Sequence, residues 1–217
     1  MPREREELFR ISSIKPKEKI VILAYEGNNT EALYFEELKV SSKFNYELIY
    51  LVSLRRPKKD TKSAPIYVFT KLKKEAKVEY NFGPKDELWM LIDRDKWKNI
   101  PDISKLCKKE GNFFLALSNP CFEFWLLLHI KDISDFSPSE RMDIFKNKKV
   151  SKKKTYLKRL LGSLLPEGYN ESKPKPERFI PKIEIAIKRS RRLDFGDEDY
   201  PTTLGTHVYK LAEKLIK

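Results

Sequence analysis

Lys19-Ile20-Val21-Ile22-Leu23-Ala24-Tyr25 runs directly into Glu26-Gly27-Asn28-Asn29-Thr30-Glu31. The first seven residues are a nearly continuous apolar run with β-branched side chains, the pattern of a strand buried on both faces of a parallel sheet. Gly27 permits a tight turn, and Asn28 is placed to cap a helix whose N3 residue is Glu31, a capping-box spacing. That helix carries Leu33, Tyr34, Phe35 and Leu38. The same strand-to-helix unit then recurs. Glu47–Val52 reads as a second strand and residues 64–80 as a helix. Glu87–Ile92 reads as a third strand ending at Asp93-Arg94-Asp95, followed by a short helix near 102–110. Phe113–Leu117 is the fourth strand, and Ser118-Asn119-Pro120 opens another helix, with Asn119 as cap and Pro120 at the first helical position. Alternation of this kind predicts an α/β fold, a parallel sheet flanked by helices.

Beyond residue 130 the pattern is helical, near 138–146, 152–164, 177–192 and 204–216, and rich in lysine and arginine. The expected organisation is an N-terminal arm (1–18), an α/β core (19–130) and a basic, mainly helical C-terminal region (131–217).

The 217 residues include 45 Lys and Arg against 32 Asp and Glu, a net charge of +13. With 40% hydrophobic residues the chain can bury a core, so global disorder is excluded. No apolar run approaches a membrane span and the N-terminus lacks a secretory signal, so a cytoplasmic protein without membrane contact is expected. Two cysteines, Cys107 and Cys121, rule out a disulfide scaffold and a cysteine zinc site, and both read as small hydrophobes. The basic surplus favours a polyanionic partner. It gathers at Arg55, Arg56, Lys58 and Lys59, then at Lys152, Lys153, Lys154 and Arg159, and again at Lys188, Arg189, Arg191 and Arg192. These three clusters are candidate nucleic-acid contacts, since forked arginines suit phosphate. A solvated lysine-rich surface is the competing reading.

Ligands of open α/β sheets gather beyond the carboxyl ends of the strands. Glu26 follows the first strand there, and Asp93 and Asp95 follow the third. If those strands are neighbours, the carboxylates converge and need a cation; Mg²⁺ accepts two or three of them and keeps water besides. Glu123, in the first turn of an otherwise apolar helix, would be costly to bury unless paired or metal-bound. His129 lies roughly 120° around that helix from Glu123, so the two are no i,i+4 metal pair, and a core histidine is an equally good reading. His207, after Thr202-Thr203-Leu204-Gly205-Thr206, is a further candidate base, though a capped helix start explains that segment as well. Glu26 could equally be an ordinary acid beside a helix N-terminus.

Three motifs together resemble the RloB-like family: Ala24-Tyr25-Glu26-Gly27-Asn28-Asn29-Thr30-Glu31 with Tyr34-Phe35; Leu91-Ile92-Asp93-Arg94-Asp95; and Ser118-Asn119-Pro120-Cys121-Phe122-Glu123-Phe124-Trp125-Leu126-Leu127-Leu128-His129. Tyr200-Pro201-Thr202-Thr203 with His207 and Leu211 is similar to that family's closing segment. The resemblance spans roughly residues 20–212. Asn28-Asn29 stands where many relatives carry other polar residues. The resemblance implies a Toprim-like fold, related to primases, topoisomerases and overcoming-lysogenization-defect nucleases. It further implies Glu26, Asp93 and Asp95 as ligands of Mg²⁺ or Mn²⁺ for phosphoryl transfer. On the residues' own placement, Glu26 is expected as ligand or general base, Glu123 as completing or orienting the catalytic site, and His129 and His207 as auxiliary. Such genes accompany restriction and phage-defence (abortive infection) loci, often beside an ABC- or AAA-type ATPase. A nuclease acting on DNA or RNA, transfer RNA included, gated by such an ATPase, is therefore the expected function; a second copy of the chain is a further candidate partner. A non-catalytic nucleic-acid-binding adaptor and a nucleotidyl transferase are the alternatives.

Overall fold

The computed structural model describes residues 18–27, 29–54, 64–80, 82–94, 97–152, 154–196 and 198–217. The N-terminal arm, Asp95, Lys153 and the whole first basic cluster (Arg55, Arg56, Lys58, Lys59) lie outside them, save Glu18 at the arm's end.

Five strands form one sheet in the order β2-β1-β3-β4-β5. They are β1 (Lys19–Tyr25), β2 (Ile49–Leu54), β3 (Glu87–Asp93), β4 (Phe113–Asn119) and β5 (Gly205–Thr206). The first four are mutually parallel, and the two-residue β5 is antiparallel to the end of β4. β1 and β3 are neighbours in the middle, with Tyr25 opposite Leu91. The apolar runs follow from that position: alternate residues must satisfy opposite faces. Val21, Leu23, Tyr25, Trp89 and Leu91 enter one core layer, while Ile22, Ala24, Leu88, Met90 and Ile92 enter the other.

Helices cover both faces. α2 (Pro65–Glu79) and α3 (Ile100–Glu110) pack on the second layer, through Val68, Phe69, Leu72, Ile103 and Cys107. α1 (Thr30–Val40) and α4 (Phe122–Ile130) pack on the first. The C-terminal half adds α5 (Pro138–Lys146), α6 (Tyr156–Leu164), α7 (Ile183–Arg191) and α8 (Val208–Leu215). Residues 122–129 of α4 are all buried, as expected of a helix apolar all round. α6 and α7 enclose it from the side away from β4. The first core layer includes residues from Val21 to Leu215.

Two local expectations need correction. α1 begins one residue later than the capping-box spacing requires: its cap is Asn29, whose side chain makes no cap hydrogen bond. Asn119 is the last residue of β4 and not a helix cap; its side-chain amide instead donates to the Pro201 carbonyl at 3.2 Å. The cap of α4 is Cys121 in extended conformation.

His129 is a core histidine. Its Nδ1 donates to the Trp125 carbonyl at 2.9 Å, which leaves Nε2 to accept from the Tyr34 hydroxyl at 2.9 Å. Burial pushes it down to about 3, and the charges of Arg189 and Lys182 act in the same direction, so it stays neutral.

At the opposite end of the sheet, the buried Glu87 at the start of β3 ties three elements. It pairs with Lys19 of β1 and, at 2.7 Å, with Lys214 of α8, and accepts from Trp89 Nε1 at 2.8 Å. Burial raises its carboxyl, but these three donors outweigh it and the net position lies below the usual carboxylate range. Stability from such a depressed group is present above the unfolded-state value and lost as pH falls through the folded one. Glu87→Ala is expected to cost about 1–3 kcal/mol at neutral pH, the penalty shrinking below pH 4.5, as measured by urea unfolding.

Candidate active site

The carboxyl ends of β1 and β3 deliver Glu26 and Asp93 to one place; Asp95 lies outside the described residues. The chain turns at Glu26, whose Oε2 accepts the backbone N–H of Asp93 at 3.1 Å. Asp93 continues the Trp89, Leu91 alternation and so leans toward the face carrying α1 and α4. Its Oδ1 accepts the Phe122 N–H at 2.9 Å, satisfying one of the orphan donors at the start of α4. That contact sets the first turn of α4 against the strand ends and brings in Glu123, one residue on. Ligand atoms of Asp93, Cys121 and Glu123 all lie within 4.8 Å of one another. Asp93 and Glu123 border a cavity of about 200 Å³ whose other walls include Gly27, Glu31, Lys158 and Glu171.

Lys158, Tyr169 and Glu171 carry no local signal that marks them as part of a site. Glu31 lies in the first turn of α1, and its carboxylate is tucked against the Gly27 backbone, where a Cβ would collide with it. Burial, with the negative charges of Glu123 and Glu26 adding to it, pushes the Glu31 carboxyl up to about 7 against the opposing backbone N–H groups of Glu31 and Gly27. Lys158, from α6, stands 3.8 Å from Glu123 and pairs with Glu171. The Tyr169 hydroxyl donates to Glu123 at 3.3 Å. The residue read as a small hydrophobe, Cys121, sits among the acids, and burial together with Glu123 and Asp93 pushes its thiol well up, keeping it protonated.

This donor set fits a hard divalent cation. Carboxylate oxygens at the sheet's edge suit Mg²⁺ or Mn²⁺. Mutual repulsion among the buried acids, visible in Glu31, is what a bound cation would relieve. A protonated thiol adds little to such a site.

The two histidines are elsewhere. His129 is enclosed between Tyr34 and Trp125 and does not line the cavity. His207 caps α8 and borders a separate cavity of about 260 Å³ with Ser104, Lys108 and Lys210. It faces Asp194 at 3.2 Å, and burial with the nearby Lys210 pushes it down to about 4. Most of the third basic cluster is engaged internally. Arg189 donates to the Leu128 carbonyl at 2.7 Å at the end of α4, Arg191 pairs with Glu213, and Arg192 pairs with Asp132. Lys188, Lys152, Lys154 and Arg159 are exposed, the last three close in sequence to Lys158.

A mainly parallel sheet, a carboxylate cluster at its carboxyl edge and a helical C-terminal segment define a Toprim-like α/β protein. The chain belongs to the RloB-like family: the family described as RloB-like protein matches residues 21–215. Neither the curated proteins nor the solved structures contain a match to it. Family membership supports a nuclease-type function in general terms. Among the described residues no helix is long and apolar enough to cross a membrane.

A carboxyl raised on folding costs stability as pH climbs from its unfolded value of 4.5 through about 7. Glu31→Gln is therefore expected to be more stable than the parent at pH 8 in chelator, by on the order of 3 kcal/mol, with the difference vanishing below pH 4.5. Urea unfolding across that range checks it; a constant difference would place the gain outside this ionisation.

Proposed function

We propose that the chain is a divalent-metal-dependent nuclease, and the observation that carries this reading is the convergence of Glu26, Asp93 and Glu123 at the carboxyl edge of β1 and β3. Asp93 and Glu123 are the ligands of Mg²⁺ or Mn²⁺, with Glu26 and Asp95 completing the set. Such an ion, when bound, supplies positive charge against a phosphoryl oxygen and lowers the pKa of a water. The protein's own part is geometric. Glu26 holds the Asp93 backbone, Asp93 holds the start of α4, and Tyr169 and Lys158 orient the Glu123 carboxylate. Lys152, Lys153, Lys154 and Arg159 supply the sequence-independent grip on phosphate. The first cluster, Arg55, Arg56, Lys58 and Lys59, which follows β2 in sequence, is assigned the same role.

Substrates of this reading are DNA or RNA, transfer RNA among them. The family resemblance supports a place in phage defence beside an ABC- or AAA-type ATPase that gates the nuclease. Neither buried histidine is assigned a catalytic role.

Asp93→Asn should abolish Mg²⁺- or Mn²⁺-dependent cleavage of labelled DNA, messenger-like RNA and transfer RNA, with a loss of at least about 10³-fold, while binding changes little. Cleavage by this variant at the parent's rate would remove Asp93 from the chemistry. Binding with no turnover by the parent, alone or with an ATPase partner, would instead favour the adaptor reading.

A further inference from the structure

A polyanion cannot readily approach a cavity walled by Glu31, Asp93, Glu123 and Glu171 unless a cation meets it. Lys158 is the one basic residue lining that cavity among the described residues. Its side chain is 24% exposed, anchored through Leu157 and Leu161 of α6 in the core, and its Nζ points between Glu123 and Glu171. The two acids differ in freedom. Glu123 is buried, 8% exposed at the side chain, and held by Tyr169. Glu171 is 48% exposed and belongs to a turn, closed by the Lys173 N–H on the Asn170 carbonyl, whose backbone is pinned by Thr30, the hydroxyl of which donates to the Glu171 carbonyl at 3.1 Å. Only the Glu171 side chain has to swing for Lys158 to be uncovered; the segment itself stays docked.

A second cavity, of about 380 Å³, lies on the other side of this pair. Lys158 and Glu171 line both, so their ion pair is the partition between them. The far cavity is bordered by Lys154, Asn170 and Ser172 and offers donors suited to a second phosphate.

We propose that Glu171 is an internal stand-in for a substrate phosphate: its carboxylate occupies Lys158 until a phosphate of the nucleic-acid backbone takes its place, and the strand then leaves the acid cavity over Lys154, Asn170 and Ser172. The proposal rests on the nucleic-acid reading above and adds the phosphate contact and its built-in competitor. Exchange is favourable because an ion pair to a half-exposed glutamate is worth little, whereas phosphate on lysine also releases counterions from the nucleic acid. The buried Glu123 remains paired throughout and keeps Lys158 in position.

The test is fluorescence anisotropy with labelled single-stranded RNA and DNA of one sequence, in EDTA so that no turnover intervenes. Lys158→Gln should weaken binding about 10-fold and reduce the slope of log K against log salt by about one, while Lys158→Arg keeps both. Glu171→Gln should tighten binding about 3–10-fold, and this gain should disappear in the Lys158→Gln background. Glu167→Gln, an equal charge change at an exposed acid paired with Lys175 and Arg178, is the control. A gain from Glu171→Gln that persists without Lys158, or that Glu167→Gln matches, would overturn the proposal, as would parental affinity in Lys158→Gln. Absence of binding by every protein at low salt would instead overturn the nucleic-acid reading, and the gate with it.

Discussion

The hydrogen bond from the Phe122 backbone N–H to Asp93 Oδ1 is the contact on which the site depends. It joins the end of β3 to the first turn of α4, and Glu26 joins the same point to β1 by accepting the Asp93 N–H. One carboxylate therefore satisfies a helix donor that would otherwise be unpaired, and in doing so sets the separation of Asp93 from Glu123. The cost of collecting acids here is visible in Glu31, whose carboxyl is pushed up by burial and by its neighbours. A site that crowds like charges for function gives up stability for it, and the deep enclosure of α4 by the sheet, α6 and α7 supplies the compensation.

Much of this was legible in the order of residues. The apolar runs that became β1, β3 and β4 are long, rich in residues that fit a pleated core, and bounded by polar turns, so their type and nearly their limits could be read directly. Glu26 and Asp93 were legible for the same reason: a strand's end fixes where the next side chain goes. Lys158, Tyr169 and Glu171 were not, because they reach the site through packing of α6 and the segment after it against α4, and no short-range pattern encodes such an approach. Glu31 has the N3 spacing of a capping box with Asn28; the helix instead starts one residue later, and the Glu31 carboxylate lies against the Gly27 backbone. His129 and His207 illustrate the converse limit. A histidine in a motif has the same letter whether it faces a ligand or a tyrosine, and only the tertiary partners, Tyr34 for one and Asp194 for the other, separate the cases.

The net charge of +13 divides into two populations once the fold is known. Arg189 is part-buried and donates to the Leu128 carbonyl at the end of α4, while Arg191 and Arg192 form surface ion pairs with Glu213 of α8 and with Asp132. Arg189 belongs to the scaffold, so counting it toward a nucleic-acid surface overstates that surface. Lys152 and Lys154, leading into α6, are different: they are solvent-facing and close in sequence to Lys158. Charge at the level of the whole chain thus identifies a class of partner, while the ion-pair map identifies which cations are available to it.

β5 is only two residues long, yet it gives the edge of the sheet to a segment nearly ninety positions further along the chain than the strand it pairs with. Ser118 meets Thr206, Asn119 meets Pro201, and both residues immediately precede the Pro120-Cys121 step into α4. During synthesis on the ribosome, the turn that carries Cys121 and Glu123 therefore emerges long before the residues that brace it. The acid cavity is therefore braced by residues that leave the ribosome last, and it is completed late in the life of the nascent chain.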